Sequence, residues 1–280
     1  MRVFSAAMPL SWVRLAFAVV LLVAVASAAR AAEDTWSDLK GDLFGDRQIL
    51  DGSEWLVLEA PYRAEDAAIV PIDILALKPQ GETYIQSITL VIDENPAPVA
   101  AVFNLGRQSG LASISTRVRV NAYSHVRAIA ETNEGRLYMA ARFVKASGGC
   151  SAPANKDPEQ AMANLGKMRL RQYNSVQPAE LDGLPAGLQE AQLMIRHPNY
   201  SGLQMDQLTR HYVPAHFVRD IEILQGDELL MSVEGAISLS EDPSVRFRFL
   251  PNGAESLTAR IEIGRASCRK ECRSRWSPYH

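Results

Sequence analysis

Cysteine is scarce in this chain, at three in 280 residues, and two of them, Cys268 and Cys272, lie close to the C-terminus. Only Cys150 is left in the body of the protein. One thiol cannot close an internal bridge, so a disulfide-stapled fold is excluded. A long apolar run is also missing. Leu15–Ala26 ("LAFAVVLLVAVA") is shorter than the roughly 20 residues a membrane span requires. Arg2 and Arg14 precede it and Ala29-Arg30-Ala31 follows. Residues 1–31 therefore read as a cleaved Sec-type signal, with no stable membrane insertion afterwards.

Several chemical signatures are absent as well. There is no G-x-S-x-G, no phosphate-cradling glycine loop and no paired-carboxylate pattern. His197, His211 and His216 do not follow finger or zincin spacing, so no metal and no cofactor is expected. Loop hydrogen bonding or interface packing is the expected role of these three, and a structural role that of His125. Asn199–Ser201 ("NYS") matches a glycosylation sequon.

A surplus of positive charge is lacking too, although one end disguises this. From Ile263 the chain turns basic ("IGRASCRKECRSRWSPYH"), with no period of 2 or 3.6. One back-translation closely resembles a common short-read sequencing adapter with a base dropped, and 263–280 is read as a non-native tail. Without this tail and the signal, basic residues fall from 29 to 21 and acidic ones from 32 to 31, near −10 net. That acidity argues against nucleic acid, whose binding needs cations against phosphate.

What is present is alternation. After a helical spacing at Trp36, Leu39, Leu43 and Phe44 come seven short segments separated by turn residues. They are "EWLVLEAP", "AAIVPIDILAL", "YIQSITLVID", "VAAVFNL", "ASISTRVRVNAY", "HVRAIAET" and "RLYMAARFVKA". Pro71 in the second marks an edge strand or a bulge. "ASGGCSAPANKDPEQ" reads as a linker, with Asp157-Pro158 opening a short helix. Six further strand-like segments follow: "KMRLRQY", "EAQLMIRHP", "HFVRDIEILQG", "ELLMSVEGAI", "VRFRFLP" and "SLTARIE". The pattern predicts a mainly β protein of two immunoglobulin-like β-sandwiches, 32–147 and 166–262, joined by a cysteine arm and short helical linker over 148–165. With 263–280 set aside, the second sandwich should lack a closing strand and present an open sheet edge.

Cys150 has no large apolar residue within four positions on either side, so nothing local would carry it into a core. Gly148 and Gly149 add backbone freedom, and Pro153 blocks strand continuation. The expectation is an exposed thiol on a swinging arm made of Gly148, Gly149 and Ser151. An enzyme reading is disfavoured, because a catalytic thiol needs a rigid scaffold and a fixed base.

"SGGCSAP", followed by "IRHPNYSGLQMDQLTRHYVPAHFV" (Ile195–Val218), is similar to the Gly-Gly-Cys arm of SoxY and the His-Pro…Gly…Pro-Ala-His-Phe segment of SoxZ. From Asp34 to about Glu262 the chain resembles these two sulfur-compound carrier subunits fused in one polypeptide, particularly the quinoprotein dehydrogenase-associated SoxYZ-like carriers. The resemblance implies a periplasmic, non-enzymatic carrier whose two domains pair. Cys150 would hold a sulfur-containing intermediate, as in thiosulfate oxidation. Partners would be enzymes of a sulfur-oxidation-like or quinoprotein dehydrogenase pathway. It also implies a bacterial source, in which the sequon is silent. One departure stands out: the family's arm ends its chain, whereas here Ser-Ala-Pro follows the cysteine. The alternative function is a non-catalytic binding module for a periplasmic dehydrogenase, with an incidental or dimerising thiol.

Overall fold

Along Val70–Pro79 the residues Val70, Ile72, Ile74 and Ala76 are buried while Pro71 and Asp73 face out, a period of two that only a half-buried strand satisfies. The same rule builds most of the chain. The computed structural model describes residues 35–153, 158–173, 184–207, 209–264 and 268–275, with 158–160 and 268–275 as backbone only. The proposed signal and Asp157 lie outside them. The chain divides into 1–46 and 47–280. In the first part, residues 35–44 form helix α1, where the spacing predicts it.

In the second part, the first half consists of β1 (Ile49–Asp51), β2 (Leu56–Glu59), β3 (Val70–Pro79), β4 (Ile85–Ile92), β5 (Val99–Leu105), β6 (Leu111–Val118), β7 (Ser124–Thr132) and β8 (Leu137–Val144). Helix α2 (Pro158–Ala163) follows. The second half holds β9 (Met168–Tyr173), β10 (Gln189–Ile195), β11 (Val218–Gln225), β12 (Glu228–Gly235), β13 (Ser244–Phe249), β14 (Ser256–Ile263) and β15 (Cys268–Arg275). All thirteen segments singled out in the sequence are strands, β2 to β14.

The two immunoglobulin-like halves are not held by a linker alone. One sheet runs β1-β8-β7-β4-β5-β12-β11-β14-β15 and the other β2-β3-β6-β13-β10-β9. Each sheet crosses from one half to the other, through the antiparallel pairs β5·β12 and β6·β13. Phe103 lies opposite Val233 at the first crossing and Ile114 opposite Phe247 at the second. All four are buried in one continuous apolar core. Burial of such side chains is worth about 1.5–3 kcal/mol each, so the junction is core rather than contact surface.

Two further expectations change. β3 has β2 on one side and β6 on the other, so Pro71 is not on an edge strand. The β2 pairing stops at Glu59↔Asp73, however, and at Pro71 only β6 lies alongside. The missing proline N–H is tolerated there. The edge of β14 is not open either: β15 runs antiparallel to it from Ile263↔Cys268 to Ser256↔Arg275. Ladder bonds use main-chain groups, which explains how a stretch without alternation can pair.

Candidate functional site: a thiol clasped between two halves

Residues 148–151 form a turn at the end of the first half. Gly148 takes φ +79°, a conformation that favours glycine, and its N–H donates to the Asn121 carbonyl at 2.8 Å. The Gly149 N–H donates to the Val120 carbonyl at 3.1 Å. A Cβ on Gly149 would lie 2.0 Å from the Ala67 carbonyl oxygen, so only glycine fits. Ser151 is exposed and closes the turn, its N–H and hydroxyl both donating to the Gly148 carbonyl at 3.2 Å.

Cys150 is a free thiol with none of its surface accessible. This corrects the exposed, swinging arm. The expectation considered sequence neighbours, but the covering groups come from far along the chain. Gly148 and Gly149 serve a left-handed turn and a close approach of backbones rather than freedom.

Both halves provide the clasp. The Ser201 hydroxyl donates to the Cys150 carbonyl at 2.5 Å. Arg119, just after β6 and 1% exposed, donates from Nη1 to the Gly149 carbonyl at 3.2 Å and from Nη2 to the Pro198 carbonyl at 3.5 Å. One guanidinium thus spans the cysteine turn and the His197-Pro198 segment. The two motifs read 45 residues apart in the sequence meet here.

This surrounding is buried and closely hydrogen-bonded. Asn199, fully buried, accepts the Val218 N–H on its side-chain oxygen and donates to the Leu239 carbonyl. Its amide is therefore structural and cannot bear a glycan in the folded protein. His197 is buried, and its Nδ1 accepts the Asn199 N–H at 2.9 Å. Burial, with His216 close by at 4.8 Å between ring centroids, pushes the His197 pKa down to about 4. The ring is neutral, and since Nδ1 accepts, the proton sits on Nε2. His211 is exposed. His125 packs edge-on against Phe143 in the first sandwich, and burial lowers its pKa. Among the described residues no His, Cys, Asp and Glu side chains gather as a metal site.

Burial also pushes the Cys150 thiol up from its ordinary 9.0 to about 11, with Arg119 acting weakly the other way. Burial lowers the Arg119 pKa in turn, opposed by Glu241, Cys150 and Asp66. Three buried donors around the turn have no hydrogen-bond partner among the described residues: Arg119 Nε, His197 Nε2 and Gln204 Nε2. Gln204 belongs to the same shell, because its Oε1 accepts the Ser201 N–H at 3.0 Å. Sequence reasoning missed Arg119 and Ser201. In "ASISTRVRVNAY" Arg119 reads as one more outward charge of an alternating strand, and nothing local marks it as buried.

The site is thus one clasped thiol at the junction of two immunoglobulin-like halves. Comparisons with known proteins identify the family. Residues 40–150 match the family model "Sulfur oxidation protein SoxY" and residues 183–264 match "Sulphur oxidation protein SoxZ". The chain belongs to the SoxYZ family of sulfur-oxidation carrier proteins, with both partners fused in one polypeptide. A solved structure, the sulfur carrier protein SoxY from Chlorobium limicola f thiosulfatophilum, is 23% identical over 43% of this chain and 98% of its own, with a TM-score of 0.34. No curated protein matches the chain.

Proposed function

We propose that this protein is a periplasmic covalent carrier. Cys150 accepts a sulfur-containing group from one enzyme and presents it to others. The observation that carries this reading is where the SoxY match ends: on residue 150, the cysteine itself. The signal-like N-terminus supports export. Partner enzymes of a sulfur-oxidation-like pathway follow from the family; a quinoprotein dehydrogenase partner rests on resemblance alone.

The clasped state is a resting state. A pKa near 11 in place of 9.0 lowers the thiolate fraction at neutral pH about 100-fold, and the thiolate is the nucleophile. Loading therefore requires the turn to leave its berth. Four hydrogen bonds hold it, to Asn121, Val120, Arg119 and Ser201. At about 1 kcal/mol net each, release costs on the order of 4 kcal/mol, within reach of a docking enzyme. The three unpartnered donors also suit an acceptor-rich, anionic group on the thiol better than the neutral thiol itself.

Complete burial of Cys150 favours a second reading, in which the thiol is a packed small side chain of a binding module. Intact mass of the native protein from periplasm, with and without reductant, separates the two. A reductant-labile adduct on the Cys150 peptide, absent in Cys150→Ser, is the expected result. A uniformly unmodified thiol while the pathway is running would establish the binding module instead.

A further inference from the structure

The outer face of the six-stranded sheet carries a charge pattern that the carrier reading leaves unused. Strand register aligns Arg171, Gln192, Arg246, Ser115, Asp73 and Glu59 in one row across β9, β10, β13, β6, β3 and β2. The row is positive toward β9 and negative toward β2. At its positive end a cleft of about 620 Å³ opens over β6, β9 and β10. Arg117, Lys167, Arg169 and Arg171 line it, together with the apolar Met168 and Met194 and the carboxylates Glu241 and Asp242.

Cations outnumber carboxylates in this wall by five to two, counting Arg196 against Glu241 and Asp242. Arg196, also in the wall, pairs with Asp242 at 2.5 Å. Among the described residues, Arg117 donates to the Asp242 carbonyl and Lys167 to the Asn164 side chain. Among the described residues no carboxylate forms an ion pair with any of the other four. Arg169 and Arg171 stand two apart on one strand face, about 7 Å from each other. Such an excess of positive charge, in a chain of net charge −3, attracts an anionic partner. A single inorganic anion would fill a small part of the cleft, and the methionines favour a broader, partly apolar occupant.

Position adds a reason. Arg117 lines the cleft, and Arg119, two residues on, holds the Gly149 carbonyl. The turn itself does not line the cleft; the link between them is this short stretch of chain at the end of β6. We propose that this cleft docks an acidic surface segment of a partner protein. The proposal rests on the carrier reading only for why a partner must land there.

The test uses a fluorescein-labelled decaglutamate peptide, titrated by anisotropy against the full chain. The double reversal Arg169→Glu/Arg171→Glu should weaken binding at least tenfold, about 1.4 kcal/mol. A matched reversal of exposed charges on the other sheet, Arg136→Glu/Arg142→Glu, should change it less than about twofold. Equal loss in both variants overturns the proposal. So does displacement of the peptide by about 10 mM sulfate at ionic strength held with chloride, which would mark a small-anion site. Cys150→Ser keeps the two ideas apart: it removes any thiol adduct and should leave peptide binding at wild-type strength. Should peptide binding localise to the cleft while no adduct is ever found on Cys150, the docking surface stands and the carrier reading alone falls.

Discussion

The Ser201 hydroxyl donates to the carbonyl oxygen of Cys150 across 51 residues of sequence, so a SoxZ-half side chain fastens the SoxY-half thiol. Replacing it releases one clasp without touching the thiol. Ser201→Ala should speed alkylation of Cys150 by about two- to tenfold, matching about 0.5–1.5 kcal/mol for one hydrogen bond. Iodoacetamide kinetics at neutral pH, compared with those of the wild type, provide the measurement; an unchanged rate would show that the clasp does not govern access.

Gly149 offers a stronger lever. A methyl group there would sit 2.0 Å from the Ala67 carbonyl and 2.7 Å from that of Val120. Gly149→Ala should eject the turn while both sheets persist. Alkylation should rise toward that of an ordinary exposed thiol, about 100-fold at neutral pH. Far-ultraviolet circular dichroism checks that the fold survives, and the alkylation rate reads the exposure.

The pH dependence of the clasp follows from the raised thiol pKa. Between about 9 and 11 the released or unfolded chain has lost the thiol proton while the clasped chain keeps it. Stability of the clasped form is therefore full below 9 and falls as pH rises, at up to about 1.4 kcal/mol per pH unit. Denaturant midpoints from pH 8 to 11 should show this decline in the wild type, and Cys150→Ser should flatten it.

His197 acts at the opposite end of the scale. Its folded pKa near 4 lies below the ordinary 6.5, so the unfolded chain takes up the proton first as pH falls. The stability it contributes is present above 6.5 and is lost through the window from 6.5 down to 4. Urea midpoints measured across that window should slope in the wild type and slope less in His197→Gln. Equal slopes would place the acid sensitivity elsewhere.

The strands were legible because a half-buried strand must alternate, and "VPIDILAL" or "VRFRF" can hardly do otherwise. β1, only three residues long and parallel to β8, carries too short a pattern to announce itself. The crossings β5·β12 and β6·β13 were not legible, since Phe103 and Phe247 look the same whether their strand is an edge or a seam. The cysteine motif was legible as chemistry but not as geometry. Burial of Cys150 depends on Ala67, Arg119, Val120 and Ser201, none within 29 positions of it, and a glycine pair reads alike for freedom and for close packing.

The seam through both sheets has a consequence for how the protein meets its surroundings. A carrier built from separate subunits must find its other half again after every dilution. Here the halves face each other at a fixed effective concentration, so assembly is a folding event rather than an encounter. The thiol then keeps its cover however dilute the protein is, and pulling the halves apart would bare two ladder edges at once.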